Sequence, residues 1–238
     1  MRRVYISDLH LEDPAAPAFM RFQEFMTVES QSVDEIYILG DLVEMWIGDD
    51  DDSAAATALA EILRTTTRRC SVFLMHGNRD FLFGQDFCSN AGIEIISDPY
   101  ITADNIMLSH GDALCVDDEE YQTVRTTLRS VAWQQDILAK TLTERKAFGQ
   151  ALRMQSKSSN ANKPGNIMDV NQTETDAQVA AHEAHTLIHG HTHRPGVHRR
   201  PGYTRMVTGA WEQCGWVCRQ NDDDLRLECF SLARRYGT

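Results

Sequence analysis

The chain has 238 residues, of which 42% are hydrophobic and 24% are charged. This length and balance suit a single globular domain with a sizeable core and exclude an intrinsically disordered chain. The formal net charge of −12 argues against general nucleic-acid binding, which needs a basic surface, and without a signal-like or long apolar run we expect no membrane span.

The first third of the chain alternates short apolar runs with helical patterns. Residues 3–7 predict a strand, a helical pattern follows at residues 19–29, and residues 35–39 predict a second strand. A helix is expected over residues 54–68 and a third strand over residues 71–75. Such alternation of strands and helices is typical of an α/β sheet.

The remaining strands predicted from apolar and β-branched runs lie at residues 105–109, 186–188, 205–208 and 225–230. Five of the predicted strands lead directly into polar residues with neighbouring glycines. Ligand sites of α/β sheets gather outside the carboxyl ends of the strands. We therefore expect these polar residues to share one edge of the fold.

Residues 121–169 differ from the rest because they lack strand-like runs and space their apolar residues at mostly helical intervals. Within residues 121–163, eight Lys or Arg accompany only two Asp or Glu. We interpret the segment as a helical insertion over the site within a single domain spanning residues 1–238. Periodicity alone favours the alternative of ordinary packed helices with a solvated basic face. A basic segment in an acidic chain points to a local anionic partner, such as a phosphate or a lipid head group.

The polar residues that follow the strands are candidate metal ligands. They are Asp8, His10, Asp41, Asn78, His110, His191 and His193. Carboxylate, imidazole and amide groups without a thiolate suit Mn²⁺, Fe²⁺ or Zn²⁺ better than Ca²⁺ or a structural zinc site. The spacing predicts a two-metal hydrolytic site.

The candidates divide into two groups that share one carboxylate. One ion would be held by Asp8, His10, Asp41 and His193, and the other by Asp41, Asn78, His110 and His191. In extended chain, residues i and i+2 point the same way, so each Asp-x-His or His-x-His pair could clamp an ion from one side. Two ions roughly 3.5–4 Å apart would bracket a phosphate and activate a water.

These motifs resemble the calcineurin-like metallophosphoesterase superfamily, with DLH at 8–10, GD at 40–41, GNRD at 77–80, HGD at 110–112 and GHTH at 190–193. The resemblance implies a sandwich of two mixed β-sheets flanked by helices, with the insertion as a helical cap. Many members have a histidine, thought to act as an acid, where this chain has Arg79. An arginine stays protonated at neutral pH, and it could instead hold a phosphate bidentately.

Longer segments resemble one family within that superfamily, the UDP-2,3-diacylglucosamine pyrophosphohydrolases of the lipid A pathway. They cover residues 37–51, 76–84, 110–122, 156–172 and 188–195. The resemblance implies water attack on the α-phosphorus of the diphosphate, giving UMP and 2,3-diacylglucosamine 1-phosphate, with two divalent ions, usually Mn²⁺. It also implies a peripheral position at the cytoplasmic face of the inner membrane, with neither a nucleic-acid partner nor an obligate protein partner.

The same resemblance assigns roles to individual residues. It implies catalytic roles for Asp41, Asn78, Arg79 and His110. The implied substrate contacts are Asn78, Arg79, Asp118, Ser156, Asn160, Lys163 and His191. Three of these contacts lie in the basic insertion, which favours a functional cap whose apolar residues line a chamber for acyl chains. Two alternatives remain, a metallophosphoesterase for another nucleotide or phosphodiester and a non-catalytic scaffold, although such scaffolds usually lose metal ligands and none is missing here.

Overall fold

The computed structural model describes residues 1–162 and 167–237, except for the side chains of residues 157 and 159–162. The strands are β1 (Arg2–Ile6), β2 (Glu35–Leu39), β3 (Ser71–Met75), β4 (Glu94–Ile96), β5 (Tyr100–Ile101), β6 (Ile106–Ser109), β7 (Thr186–His189), β8 (Gly196–Arg200), β9 (Tyr203–Val207), β10 (Cys214–Asn221) and β11 (Asp224–Ser231). The helices are α1 (Pro17–Glu29), α2 (Ala54–Thr66), α3 (Gln85–Ala91), α4 (Glu119–Leu128), α5 (Val131–Leu138), α6 (Leu142–Asn162) and α7 (Gln172–Ala181).

The strands form two mixed sheets. One has six strands in the order β11-β10-β1-β2-β3-β4, and the other has five in the order β5-β6-β7-β9-β8. Strands β1 to β4 run parallel, and the β10–β11 hairpin adds antiparallel strands beside β1. In the second sheet β6, β7 and β9 are parallel, with antiparallel β5 and β8 at the edges. The expected sandwich of two mixed sheets is confirmed.

Side-chain alternation explains why the central strands are apolar on both faces. Val4 and Ile6 of β1 belong to the core beneath helices α1 to α3, whereas Tyr5 between them belongs to the core between the sheets. Ile38 and Leu39 of β2 divide in the same way. A strand buried on both faces appears as a continuous apolar run, which is why β1 and β2 were visible in the sequence.

The predicted elements lie within two residues of the observed ones, and the bounds of β2 and β3 match the prediction. Helices α3 and α7 and strands β4, β5, β8 and β10 were not predicted. Strands β4 and β5 have only three and two residues, too few for a period to be recognised. Residues of β8 are mostly exposed, so this edge strand has little apolar signal.

Helices α4 to α6 lie where the insertion is predicted, and we call them the cap. The first of them begins at Glu119, two residues before the predicted start. Asp118 and Ser130 cap α4 and α5, because their side chains accept hydrogen bonds from the backbone N–H groups of Tyr121 and Trp133. Ion pairs between cap arginines and the aspartates of the sandwich tie the cap down. In the part of the chain that the structure describes, no helix is both long and apolar enough to span a membrane.

Candidate metal centre

The seven candidate ligands lie just beyond the carboxyl ends of five strands from both sheets. Strands β1, β2 and β3 of the larger sheet lead into Asp8, Asp41 and Asn78. Strands β6 and β7 of the smaller sheet lead into His110 and His191. The shared edge predicted from the sequence is therefore formed by two sheets, so the site lies across the gap between them.

The loops that carry the ligands are not extended, and the expectation of extended Asp-x-His and His-x-His pairs is wrong. Asp8, His10, Asp41, His191 and His193 all have positive φ, between 49° and 66°. The left-handed region is uncommon for residues with a side chain and costs of order 1–3 kcal/mol each. Such strain persists where surrounding contacts over-determine it, and here it turns five candidate ligands towards one point.

Backbone hydrogen bonds hold the loops in this form. The N–H groups of Leu9 and His10 both donate to the carbonyl of Asp41, at 2.9 and 3.0 Å. Glycine is required at Gly40, whose φ is +88° and whose Cβ, if present, would lie 2.6 Å from the Cα of Gly77. The loop after β2 and the loop after β3 thus approach so closely at Gly40 that there is no room for a side chain.

The first predicted group gathers around His10 and His193. Their Nε2 atoms are 3.3 Å apart. The Nε2 of His193 is 3.4 Å from Oδ1 of Asp8, and the Nε2 of His10 is 3.9 Å from Oδ2 of Asp41. Donors that share one ion at about 2.0–2.2 Å lie roughly 3–4 Å from each other. The ligand atoms of Asp8, His10 and His193 all lie within 4.8 Å of one another and suit a common divalent ion, with Asp41 close to His10.

The second predicted group gathers around Asn78. Its Oδ1 lies 3.0 Å from Nε2 of His110 and 2.9 Å from Nδ1 of His191. Oδ1 of Asp41 is 3.8 Å from Nε2 of His110. Because the two oxygens of Asp41 face different histidines, Asp41 is positioned to bridge two ions.

Buried groups behind the ligands fix their orientation. Nδ1 of His110 lies 2.9 Å from the carbonyl of Leu39, so it donates there, and Nε2 is the ring atom that faces the site. The buried carboxylate of Asp80 accepts from the N–H groups of Gly77 and Leu42, each at 2.7 Å. Asp80 therefore joins the loop after β2 to the loop after β3.

The electrostatics of the ligands match a site built for cations. Burial alone would raise the pKa of Asp8, but the neighbouring His193, His110 and His10 hold it well below its usual range. Burial opposes the charged form of His110, yet the carboxylates of Asp41, Asp112 and Asp8 raise its pKa to about 9. Clustered carboxylates that favour a positive imidazolium would equally favour a divalent ion. The donor set, its geometry and its charge thus fit a two-metal centre.

The residues expected to contact substrate lie around the same centre, as far as the structure describes them. Arg79 and Ser156 line the cavity that contains the ligands, as does Asp118, which is also the N-cap of α4. Asn78 and His191 line it too. Lys163 and the side chain of Asn160 lie outside the described residues, so their predicted contacts remain predictions.

Sequence reasoning missed the residues that fasten the cap to the centre. The fully buried carboxylate of Asp112 accepts from the Tyr121 hydroxyl and from Arg125 Nε, both at 2.8 Å, and from Arg129 Nη2 at 3.2 Å. Arg129 also donates to the carbonyl of Gly77. Arg125 and Arg129 are four residues apart and could share one face of a helix, but nothing in the sequence indicates that this face meets Asp112.

Comparison with known proteins agrees with this geometry. The family model described as calcineurin-like phosphoesterase matches residues 1–195. The chain belongs to the calcineurin-like phosphoesterases. A solved archaeal phosphodiesterase shares the fold, with a TM-score of 0.51 and 11% identity, over 97% of this chain and 100% of that one.

Curated relatives are more similar in sequence. A UDP-2,3-diacylglucosamine hydrolase of Chromohalobacter salexigens is 39% identical over 99% of this chain and 100% of its own length. A protein of the same name from Xanthomonas oryzae pv. oryzae is 40% identical, over 98% of this chain and all of its own. The chain is therefore a member of the family of hydrolases that carry this name.

Proposed function

We propose that this chain hydrolyses UDP-2,3-diacylglucosamine by water attack on the α-phosphorus, releasing UMP and 2,3-diacylglucosamine 1-phosphate for lipid A synthesis. The names of the curated relatives, at about 40% identity over nearly the whole chain, support the substrate. The observation that carries the proposal is that a polar cavity and an apolar cavity meet at Arg79.

The two cavities differ in chemistry. The polar one, of about 240 Å³, is lined by candidate metal ligands including His10, Asp41 and His193. The other, of about 140 Å³, lies between the cap and the sandwich and is lined by apolar residues such as Val124 and Leu152. Four residues line both cavities: Asn78, Arg79, Tyr121 and Ser156. A substrate with fatty acyl chains on one side of a diphosphate suits this arrangement.

Arg79 lies at the junction, and the Nε of its guanidinium is available for a ligand. Its backbone N–H donates to Oδ1 of Asp41 at 2.8 Å, which fixes the position of the residue. Its Nε is buried, and no group within the described residues accepts a hydrogen bond from it. A buried guanidinium donor is costly to leave unpaired, and a phosphate is the ligand whose geometry matches a guanidinium fork.

The side chains around the centre have separate roles that suit hydrolysis of a diphosphate. Bound divalent ions would supply positive charge and an activated water. Asn78 and Arg79 are placed to hold the non-bridging phosphate oxygens. Burial and the charge of His110 lower the pKa of His191 to about 4, so His191 is neutral at physiological pH and is suited to be a ligand rather than an acid.

The leaving group explains why arginine can replace the histidine found in many relatives of the superfamily. A phosphate monoester has a second pKa near 6, so it can depart as an anion without receiving a proton. An alcohol leaving from an ordinary phosphodiester has a much higher pKa and benefits from a general acid. The Arg79 position therefore favours a diphosphate over a simple diester.

We propose Mn²⁺ as the native ion because the resemblance to the pyrophosphohydrolases implies it and the imidazole, carboxylate and amide donors suit it. We also propose that the cap touches the cytoplasmic face of the inner membrane. Val131 and Met154 of the cap are 70% and 68% exposed, and Leu138 and Phe148 of the cap are exposed as well. Exposed apolar residues near an apolar cavity would let acyl chains pass from a bilayer into the protein.

The substrate assignment can be tested by incubating purified protein and Mn²⁺ with UDP-2,3-diacylglucosamine in ¹⁸O-labelled water. The expected products are labelled UMP and unlabelled 2,3-diacylglucosamine 1-phosphate. UDP-glucosamine, which lacks the acyl chains, is the matched control and should react far more slowly. Label in the lipid product would contradict attack on the α-phosphorus. Rapid turnover of bis(p-nitrophenyl) phosphate without UMP release would contradict the proposed substrate.

A further inference from the structure

Glu44 lies between a candidate metal ligand and the cap. Its Oε2 is 3.2 Å from Nδ1 of His10, and its Oε1 is 2.8 Å from Nε of Arg153 on helix α6. The backbone N–H of Glu44 donates to the carbonyl of Leu11 at 3.1 Å, which joins its loop to the loop that carries His10. One carboxylate thus contacts the ligand with one oxygen and the cap with the other.

The contact with His10 is on the side of the ring away from the other ligands. Nε2 of His10 faces Nε2 of His193 and Oδ2 of Asp41, so Nε2 is the atom directed at an ion. A histidine that binds through Nε2 needs its proton on Nδ1 and its ring held in place, and a carboxylate on Nδ1 does both. Glu44 is the carboxylate on that side of the ring: its Oε2 is 3.2 Å from Nδ1, an ion-pair distance without hydrogen-bond geometry among the described residues.

We propose that Glu44 is a positioning residue that orients His10 for metal binding, and that Arg153 holds Glu44 in place, so that the cap contributes to the affinity of the metal centre. The side chain of Arg153 is held by a second ion pair, since its Nη1 lies 3.1 Å from Oε1 of Glu12. The inference depends on the metal centre and not on the identity of the substrate.

The contribution of Arg153 is to orientation rather than to the stability of the fold. Its side chain is 44% exposed, and ion pairs of that kind add little to the free energy of unfolding. Charge and orientation predict opposite effects of removing it. Loss of a positive charge near the site would by itself strengthen cation binding, whereas loss of the support for Glu44 weakens it.

The experiment measures Mn²⁺ binding to the metal-free full chain, without nucleotide, from the electron paramagnetic resonance signal of free Mn²⁺. Glu44→Asp keeps the charge but is one methylene too short to contact both His10 and Arg153. We expect it to weaken one of the two binding events by about tenfold, within the range found when partners of metal ligands are replaced. Arg153→Met should weaken the same event by less than Glu44→Asp does, because Arg153 acts on His10 only through Glu44.

Lys146→Met is the matched control. Lys146 lies on the same helix and is 3.9 Å from Asp51 of the sandwich, so the variant also removes a cap cation paired with the sandwich. No contact connects Lys146 with a candidate ligand among the described residues, and its Mn²⁺ affinity should equal that of the wild type or be slightly higher.

Wild-type affinity in Glu44→Asp would overturn the positioning role, and unchanged or tighter binding in Arg153→Met would overturn the role of the cap. The tautomer of His10, read from ¹⁵N chemical shifts of the metal-free protein at a pH where the ring is neutral, is a second measurement. We expect the proton on Nδ1 in the wild type and a mixture in Glu44→Gln, and an unchanged tautomer would also contradict the proposal. Because no nucleotide is present, an incorrect substrate assignment would leave these results unaffected.

Discussion

Replacement of Arg79 by methionine separates binding of the phosphate from stability of the fold. The guanidinium Nε has no hydrogen-bond partner within the described residues, so the variant should lose no internal contact of that atom. The backbone bond from residue 79 to Asp41 survives the change. Because removal of a buried unpaired donor costs the fold nothing, the free energy of unfolding should equal or exceed that of the wild type.

The effect on catalysis should be much larger. If the guanidinium fork makes two hydrogen bonds to the diphosphate, each worth about 1.5–3 kcal/mol to a charged group, their loss amounts to roughly 3–6 kcal/mol. At 1.4 kcal/mol per factor of ten, kcat/KM should fall by about 10²–10⁴. Arg79→Lys should recover only part of this, because an ammonium cannot form the fork.

The assay is UMP release at saturating Mn²⁺, with urea unfolding and Mn²⁺ affinity measured on the same preparations. Lys146→Met serves as a control for the loss of one positive charge outside the two cavities that meet at Arg79. A fall in kcat/KM of less than tenfold for Arg79→Met, with normal folding and metal content, would refute the phosphate role of Arg79.

Three further predictions concern the ligands, the interior and the cap. The pKa of His110 in the metal-free protein is raised to about 9, so protons compete with the ion for this side chain. Mn²⁺ affinity should therefore increase with pH up to about 9. An affinity that does not change between pH 6 and 9 would contradict this. Burial lowers the pKa of His189 to about 4 from 6.5, so its contribution to stability is present above pH 6.5 and is lost as pH falls towards 4. The loss amounts to about 3 kcal/mol, and urea unfolding of His189→Gln should show a correspondingly smaller loss over that range than the wild type. Val124→Trp should fill the apolar cavity and raise KM for the diacylated substrate about tenfold, whereas metal binding stays unchanged; an unchanged KM would show that acyl chains do not enter there.

The positions of the ligands could be predicted because each follows an apolar strand. Strands β1 to β3, β6 and β7 are buried, and the first polar residues after them had to emerge at the end of the sandwich. Their conformation could not be predicted, since positive φ at Asp8 or His193 depends on contacts with other loops. The residues next to an aspartate in the sequence do not show that it will adopt a left-handed conformation.

The links between the cap and the centre were also beyond the sequence. Glu44 and Arg153 are far apart along the chain and meet only because α6 folds over the loop after β2. Asp112 was assigned no role because its partners, Arg125 and Arg129, approach it only once α4 has packed against the rim. The charge composition indicated an anionic partner for the insertion. For Arg125 and Arg129 that anion is Asp112 of the same chain.

The division of the centre between two sheets makes the interior of the sandwich part of the catalytic apparatus. Asp8, Asp41 and Asn78 follow strands of one sheet, whereas His110 and His191 follow strands of the other. The spacing between the two halves therefore depends on the side chains that separate the sheets. Tyr5, Tyr37 and Met75 belong to this layer. This layer sets the distance between the two halves of the metal centre. A smaller side chain in it would change that distance, and with it the activity, without contacting any candidate ligand.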